Sequence, residues 1–382
     1  MEQPNRLLRM ARIKKSWTVE FVSHKVGVSP NTYTRWEAGR QVPRHASLRA
    51  LCSVFEMTPE ELGFSGTLQA RKSQARIEKQ QGYKLEAIRQ KLEHCSATIA
   101  TSWQTYQEGG QADLERVLPG YLLQLGEITL YPGPEQQRAA TLTAQLYQLL
   151  ALLQLQHGDF VSAQAHGTQA LVYSQIARDW NLYIASQIHL ATIFTTRKRI
   201  GSALVAYNDA LRLINITRDA ISPLLHSRIF AGLAEIQAAM GREKEAMQFL
   251  QLAVTVFPET PEMDPGYPFT RCDRTILFLY QGLVLLRLGK PRLAWKAFEQ
   301  IDGIQPAPAP RVRAEFLRHR AYTSIMLGNM IQSCIYLEAA ARAAQHINSE
   351  LAFSECYTLY EHMLALWGKE TRVRLLAHLF QH

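Results

Sequence analysis

In the first 64 positions, apolar residues recur in short groups at three- and four-residue steps, and a helix-capping residue opens nearly every group. Asn5 is placed to cap a first helix running to about Lys15. Thr18 opens a second, whose apolar face carries Phe21, Val22 and Val26, and a tight Gly27-Val28 turn closes it. Ser29 caps a third, with Pro30 at the first helical position, where a missing N–H costs nothing. The fourth runs from His45 to Phe55 with Leu48, Leu51 and Val54 inward. The fifth opens on Thr58-Pro59-Glu60-Glu61, a capping box with proline at its first helical position. Tyr33 and Trp36 are three residues apart, so helical spacing assigns them to the core rather than to stacking on a ligand. The pattern predicts a compact all-α unit over residues 1–64. Its second and third helices form a helix-turn-helix, the arrangement that lays the second helix in a DNA major groove.

Residues 65–83 are polar, basic and nearly free of large apolar side chains, which predicts a tether. Its Arg71, Lys72, Arg76 and Lys79 would either touch phosphates or be solvated. From residue 84 to 382 the chain repeats. The signature is Gly, four residues, Ala or Ser, six residues, then a small or aliphatic residue. It stands at Gly158-Ala163-Ala170, Gly241-Ala246-Ala253, Gly289-Ala294-Ile301 and Gly328-Ser333-Ala340. A further copy begins at Lys198 with Ala203 and Ala210, and weaker ones near Gly110 and Gly368. Prolines punctuate the unit ends. Glycine allows a turn between helices, and small residues seven apart let two helices approach. Stacked pairs bury a continuous core as a superhelix. Six or seven helix pairs are expected. The fold class is therefore all-α, a five-helix domain followed by an α-solenoid.

Charge sharpens the picture. The whole formal charge of +9 lies in residues 1–92, and residues 93–382 balance 25 basic against 25 acidic side chains. Segregated positive charge is the footprint of a phosphate-backbone binder. The five cysteines, Cys52, Cys95, Cys272, Cys334 and Cys356, are scattered and form no C-x-x-C pair. That pattern favours reduced thiols and a cytoplasmic location. No apolar run reaches the roughly 18 residues of a membrane span, and Met1 to Lys15 lacks a signal-peptide core.

The stretch Leu7 to Phe64 is similar to the Xre/Cro-repressor helix-turn-helix family of bacteria and phages. The resemblance rests on Arg12, Thr18, Glu20, Lys25-Val26-Gly27-Val28-Ser29, Arg35-Trp36-Glu37, Gly39-Arg40, Pro43, Leu48 and Thr58-Pro59-Glu60-Glu61-Leu62. It implies a five-helix lambda-repressor-like fold. It also implies that Asn31 and Thr34 read base edges with Ser29 and Arg35 beside them, and that Thr18, Arg40 and Arg44 touch phosphates. Arg12 and Glu37 match a structural ion pair. Asn can pair bidentately with adenine, and Thr can touch a thymine methyl. Two positions depart from the pattern. Val19 stands where many members carry a phosphate-bracing glutamine, and Ser23 stands for an alanine.

The array resembles the tetratricopeptide-repeat family, best at Gly158-Asp159-Phe160-x-x-Ala163, with a period longer than the usual ~34 residues. The combination resembles bacterial regulators, some of which sense short peptides in the repeat groove. This array holds only Asn181, Asn208, Asn215, Asn329 and Asn348 after residue 92, so the asparagine lining common in peptide grooves is thin, and a protein partner is a rival to a peptide. Arg228, Arg274 and Arg318 fall on first helices of their units, where they would line the groove or be solvated. Gly289-Lys290 is followed by Pro291 and is no P-loop. No H-E-x-x-H or G-x-S-x-G occurs. His378 and His382 lack a third metal ligand, and the Arg197-Lys198-Arg199 run reads as a solvated turn. Neither catalysis nor a cofactor is expected. The expected function is a sequence-specific, dimeric binder of double-stranded DNA that regulates transcription, its array taking a ligand or partner. The alternative is a repeat-based interaction scaffold with a weak DNA anchor.

Overall fold

The computed structural model describes residues 4–130, 132–217 and 221–381, with the side chains of all of these except 65–84 and 217. The described residues are helical and contain no strand. Two compact units emerge, residues 1–87 and 88–382. The first contains α1 (Arg6–Lys14), α2 (Val19–Val26), α3 (Pro30–Glu37) and α4 (His45–Phe55). Next come α5 (Ser65–Glu108), which continues into the second unit, α6 (Gln111–Leu130), α7 (Gln136–Gln156), α8 (Phe160–Ala177), α9 (Trp180–Thr196), α10 (Ile200–Thr217), α11 (Pro223–Ala239) and α12 (Glu243–Val256). The short α13 (Tyr267–Thr270) precedes α14 (Arg274–Arg287), α15 (Pro291–Asp302), α16 (Pro310–Met326), α17 (Met330–His346), α18 (Glu350–Trp367) and α19 (Thr371–Leu375).

In the first unit the caps form where the sequence places them. Asn5, Thr18 and Ser29 accept from the backbone N–H groups of Leu8, Phe21 and Thr32. Leu8, Val22, Tyr33, Leu51, Phe55 and Leu62 make the core. Two details differ from the sequence expectation. Phe21 is 44% exposed, because Val22 and Val26 alone fill the inward stripe of α2; its ring leans on Trp17 at 5.4 Å. The Thr58–Glu61 capping box forms, with Glu61 accepting from the Thr58 N–H at 2.7 Å, but it opens a single turn rather than a full fifth helix. Gly63 stops it at φ +79, and Asn5 Nδ2 donates to the Leu62 carbonyl, pinning that turn to the start of α1.

The expected tether 65–83 has helical backbone as the first part of α5. Its Gln, Lys, Arg, Ala and Glu content favours helix, and it contains no proline. The side chains of Arg71, Lys72, Arg76 and Lys79 lie outside the described residues.

The second unit is a run of seven helix pairs among the described residues: α5–α6, α7–α8, α9–α10, α11–α12, α14–α15, α16–α17 and α18–α19. The repeat signature has a direct physical reading. Gly158, Gly241, Gly289 and Gly328 take φ between +69 and +74, and Lys198 takes +60 at the equivalent corner. At each corner the next N–H returns to the carbonyl five residues back: Asp159 to Gln154, Arg199 to Phe194, Arg242 to Gln237, Lys290 to Leu285, Asn329 to Ser324. This bond ends the first helix and aims the second. Ala163, Ala203, Ala246, Ala294 and Ser333 are fully buried, as are Ala170, Ala210, Ala253 and Ala340. The weak first copy turns at Gly109 (φ +94), one residue before the expected Gly110. Gly368 has φ −65 and no such corner. The longest spacing, from Gly241 to Gly289, accommodates the inserted segment with α13. Arg197, Lys198 and Arg199 are exposed at their corner.

Lys198 occupies a conformation that a side chain disfavours by about 1–2 kcal/mol. Lys198→Gly removes that strain but gives entropy to the unfolded chain. A net gain of about 0.5–1 kcal/mol is expected in denaturant melts.

The array comes round to meet itself. Gln111 Nε2 donates to the Ile347 carbonyl at 3.0 Å, Ser349 Oγ donates to Gln156 Oε1 at 2.6 Å, and Arg311 Nε donates to the Tyr106 carbonyl at 2.9 Å. His157, capping α7, sits between Glu115 and Glu350. Burial works against the imidazolium, but the two carboxylates outweigh it and raise its pKa above 6.5. This contact therefore stabilises fully below about pH 6.5 and fades as pH rises through the raised value. The melting midpoint of the wild type minus that of His157→Gln should shrink across that window; a flat difference would exclude the linkage.

Candidate nucleic-acid interface

Residues 27–29 determine how α3 is presented. Gly27 takes φ +75, and the Val28 N–H returns to the Ser23 carbonyl at 2.9 Å. Ser29 then restarts the helix, its hydroxyl accepting from the Thr32 N–H and contacting the Thr32 hydroxyl. The inward face of α3 is Tyr33 at 0% and Trp36 at 2% exposure, so neither aromatic ring is available for stacking. Burial raises the Tyr33 phenol above its ordinary range, with the neighbouring Glu37 carboxylate acting in the same direction.

The opposite face carries Asn31, Thr34 and Arg35, all exposed. The Thr34 hydroxyl donates to the Pro30 carbonyl at 2.9 Å, which leaves its methyl as the group best placed for an apolar contact. Ser29 is exposed, but its hydroxyl is committed to the cap. Asn31 therefore offers a free amide, and Arg35 a guanidinium, to any groove that receives α3. Such groups can read base edges.

Exposed cations precede and follow α3 along the chain. Arg40 and Arg44 are exposed on the loop between α3 and α4, after a left-handed Gly39 (φ +71). Thr18 is exposed at the start of α2, although its hydroxyl accepts the capping bond from Phe21. The sequence reading passed over Lys25, whose ammonium lies 5.8 Å from the Phe21 ring on the outer side of α2, and Lys15, 5.0 Å from the Trp17 ring. The signal for them is an aromatic residue two or four positions away in the sequence. Val19 is half-buried against the core, so it braces the domain through packing. Ser23 is buried and donates to the Glu20 carbonyl.

Arg12 and Glu37 form a two-pronged pair, Nε to Oε1 at 2.7 Å and Nη2 to Oε2 at 3.1 Å. Arg12 Nη1 also reaches the Trp17 carbonyl at 3.0 Å. The Glu37 hydrogen bond raises the guanidinium pKa despite burial. The pair ties α1 to the end of α3 and is turned away from the exposed face.

In the array, Arg228 and Arg318 line a cavity of about 260 Å³ that is partly open to solvent. Arg274 does not. At the first position of α14 it is exposed and donates outward to the Glu259 carbonyl. None of the five array asparagines lines that cavity. Asn181 accepts from the Ser222 N–H, Asn329 caps α17, and Asn348 forms a corner at φ +51. Among the described residues no group of three metal-ligating side chains gathers, and no helix is long and apolar enough to cross a membrane. His378 Nδ1 faces the Leu375 carbonyl; His382 lies outside the described residues. All five cysteines are unpaired, and all but Cys52 are buried.

The family model described as "Helix-turn-helix domain" matches residues 6–63. Those bounds enclose α1 to α4 and the capped turn after them. No curated protein matches the chain.

Proposed function

We propose that the chain is a sequence-specific DNA-binding transcriptional regulator of Xre/Cro type that works in the cytoplasm and has no catalytic activity. The carrying observation is the outer face of α3. It is a capped, rigidly buttressed helix that shows Asn31, Thr34 and Arg35 and buries its aromatics. Arg40, Arg44 and the positive balance of residues 1–92 supply the sequence-independent phosphate term.

In this reading the tetratricopeptide-like array self-associates and pairs two helix-turn-helix units. A dimer then meets half-sites roughly 34 Å apart, or a multiple of that. A ligand or protein partner held by the array shifts the preference between placements of the two heads. It does so only to the extent that it binds one state better.

The test is to select random duplex DNA with the full chain at physiological salt and sequence what is retained. An enriched two-fold motif supports both reader and dimer. Binding that merely disappears as salt rises, with no enriched motif, would refute sequence-specific reading. The chain would then be an interaction scaffold with an electrostatic DNA anchor, the reading that Val19 in place of a phosphate-bracing side chain favours. Light scattering that finds one chain per complex, with and without DNA, would remove the dimer.

A further inference from the structure

A cavity in the array holds more positive charge than its own carboxylates balance. Arg228, on α11, is 8% exposed. Its Nη2 donates to the Tyr280 hydroxyl at 3.1 Å, and its guanidinium lies 4.3 Å from the Tyr280 ring. Its Nη1 has no hydrogen-bond partner among the described residues, and Glu235, which its charge reaches through space, is already bound by Arg287 at 2.7 Å. Arg311, on α16, is built in the same way. Nε goes to the Tyr106 carbonyl and the guanidinium lies 4.0 Å from the Tyr106 ring, while Nη1 and Nη2 are buried without partners. His189, on α9, is 8% exposed, and its Nδ1 is likewise unpartnered. Burial and the nearby Arg228 charge push its pKa down to about 3, so it faces the cavity as a neutral ring.

These three side chains come from separate helix pairs and line one cavity of about 260 Å³. Four arginines and two glutamates line it in all. One of each is already paired, Arg318 Nε with Glu355 Oε2 at 3.1 Å, and Glu315 lies 3.6 Å from His319 Nε2. Burial works against the Glu315 carboxylate, but His319, Arg318 and Arg228 outweigh it and lower its pKa; that one carboxylate stands against Arg228, Arg271 and Arg311, and positive charge remains in excess. An enclosed cation with only a ring face and one neutral acceptor keeps most of its desolvation cost, because neither replaces a counter-ion. A structural core would not be expected to retain two such groups. Trp103, Leu155, Leu279 and Leu351 add apolar wall that suits an apolar body, beside the polar Gln107, Gln156 and Thr192. The volume is near the lower end for small-ligand sites, about 300 Å³.

We propose that this cavity is the binding site of a small organic anion. Its carboxylate or phosphate oxygens accept from Arg228 Nη1 and Arg311 Nη1 and Nη2, and an apolar body about the size of one aromatic ring packs on Trp103 and the leucines. The proposal rests on the reading of the array as the ligand-receiving part of a regulator, and it names the chemistry of that ligand. Where the array closes on itself, at Tyr106–Arg311 and Gln156–Ser349, the contacts are made by elements that also wall the cavity. Filling it should therefore stiffen the closure.

The test is thermal unfolding of the full chain in benzoate, phenyl phosphate or benzyl alcohol, at ionic strength matched with sodium chloride. An anion bound only to the folded state raises the midpoint in a saturable way. Benzoate or phenyl phosphate should do so by several degrees and benzyl alcohol should not; the comparison of the two anions tells carboxylate from phosphate. Arg228→Met should melt no lower than the wild type and lose the response. Arg342→Gln, at an exposed surface pair, should keep it. Should Arg228→Met fail to fold, Arg311→Met decides in its place. No response to either anion beyond matched chloride, or a response that survives both methionine variants, overturns the site. Retention of selected DNA is measured alongside. An anion that binds through Arg228 but leaves DNA retention unchanged keeps the site and removes its regulatory role. Intact DNA selection with no anion response removes the site alone.

Discussion

Asn31→Ala combined with Thr34→Ala is expected to abolish the preference of the full chain for its selected DNA while leaving its melting behaviour within about 0.5 kcal/mol of wild type. Both side chains are exposed on α3 and neither touches the core. Each good base contact is worth roughly 1–3 kcal/mol, so the pair should cost about two orders of magnitude or more in specific affinity. The two positions separate further. The Thr34 hydroxyl is held by the Pro30 carbonyl, so its methyl carries the contact. Thr34→Val should keep most of the specific affinity, and Thr34→Ser should lose it. Arg40→Ala and Arg44→Ala should behave differently, weakening all sequences alike and reducing the salt slope by about one each. Quantitative gel shifts on the selected site and on a scrambled one, across a salt series, check all of these. Equal affinity of the double alanine variant for the two sequences, with the wild type discriminating, is the expected outcome. Unchanged discrimination would put the reading surface elsewhere.

Glu37→Ala should have the largest effect on stability. Glu37 is 9% exposed and accepts both prongs of Arg12. Removing it leaves a guanidinium largely enclosed between α1 and α3 with only the Trp17 carbonyl as acceptor. Breaking a buried pair in this way costs about 3–5 kcal/mol, against a total of about 5–15 kcal/mol for a domain. A unit this small has little reserve. Amide hydrogen exchange over α1 to α4 should accelerate by orders of magnitude, with the helices from α7 onward unaffected. Glu37→Gln should recover part of the loss, since an amide oxygen still accepts from Arg12. Exchange in Glu37→Ala at the wild-type rate would show the pair to be dispensable.

Much of the N-terminal unit was legible because its signals are local. A cap bond spans three residues, so Asn5, Thr18 and Ser29 declare their helices in the sequence itself. Trp36 and Tyr33 were assignable to the core from spacing alone. Phe21 was not, because an aromatic one step from an inward stripe is apolar in sequence whether or not the stripe has room for it. The expected fifth helix shortens to a turn for a related reason: the capping box describes a start, whereas Gly63 and the Asn5–Leu62 bond determine how far the turn proceeds.

In the array, the corner residue and the buried alanines five and twelve places later are readable because one left-handed residue and one backbone bond define each corner. Lys198 shows that the corner persists without glycine. Sequence by itself thus determined the helices, their caps, their pairing and the face that α3 presents, all of which rest on bonds and contacts spanning a few turns of chain. The tertiary structure alone decided that Gln111 meets Ile347, that Arg228 and Arg311 line one cavity, and that Arg274 does not. Those outcomes depend on small rotations accumulated over successive pairs, and no local residue pattern encodes their sum.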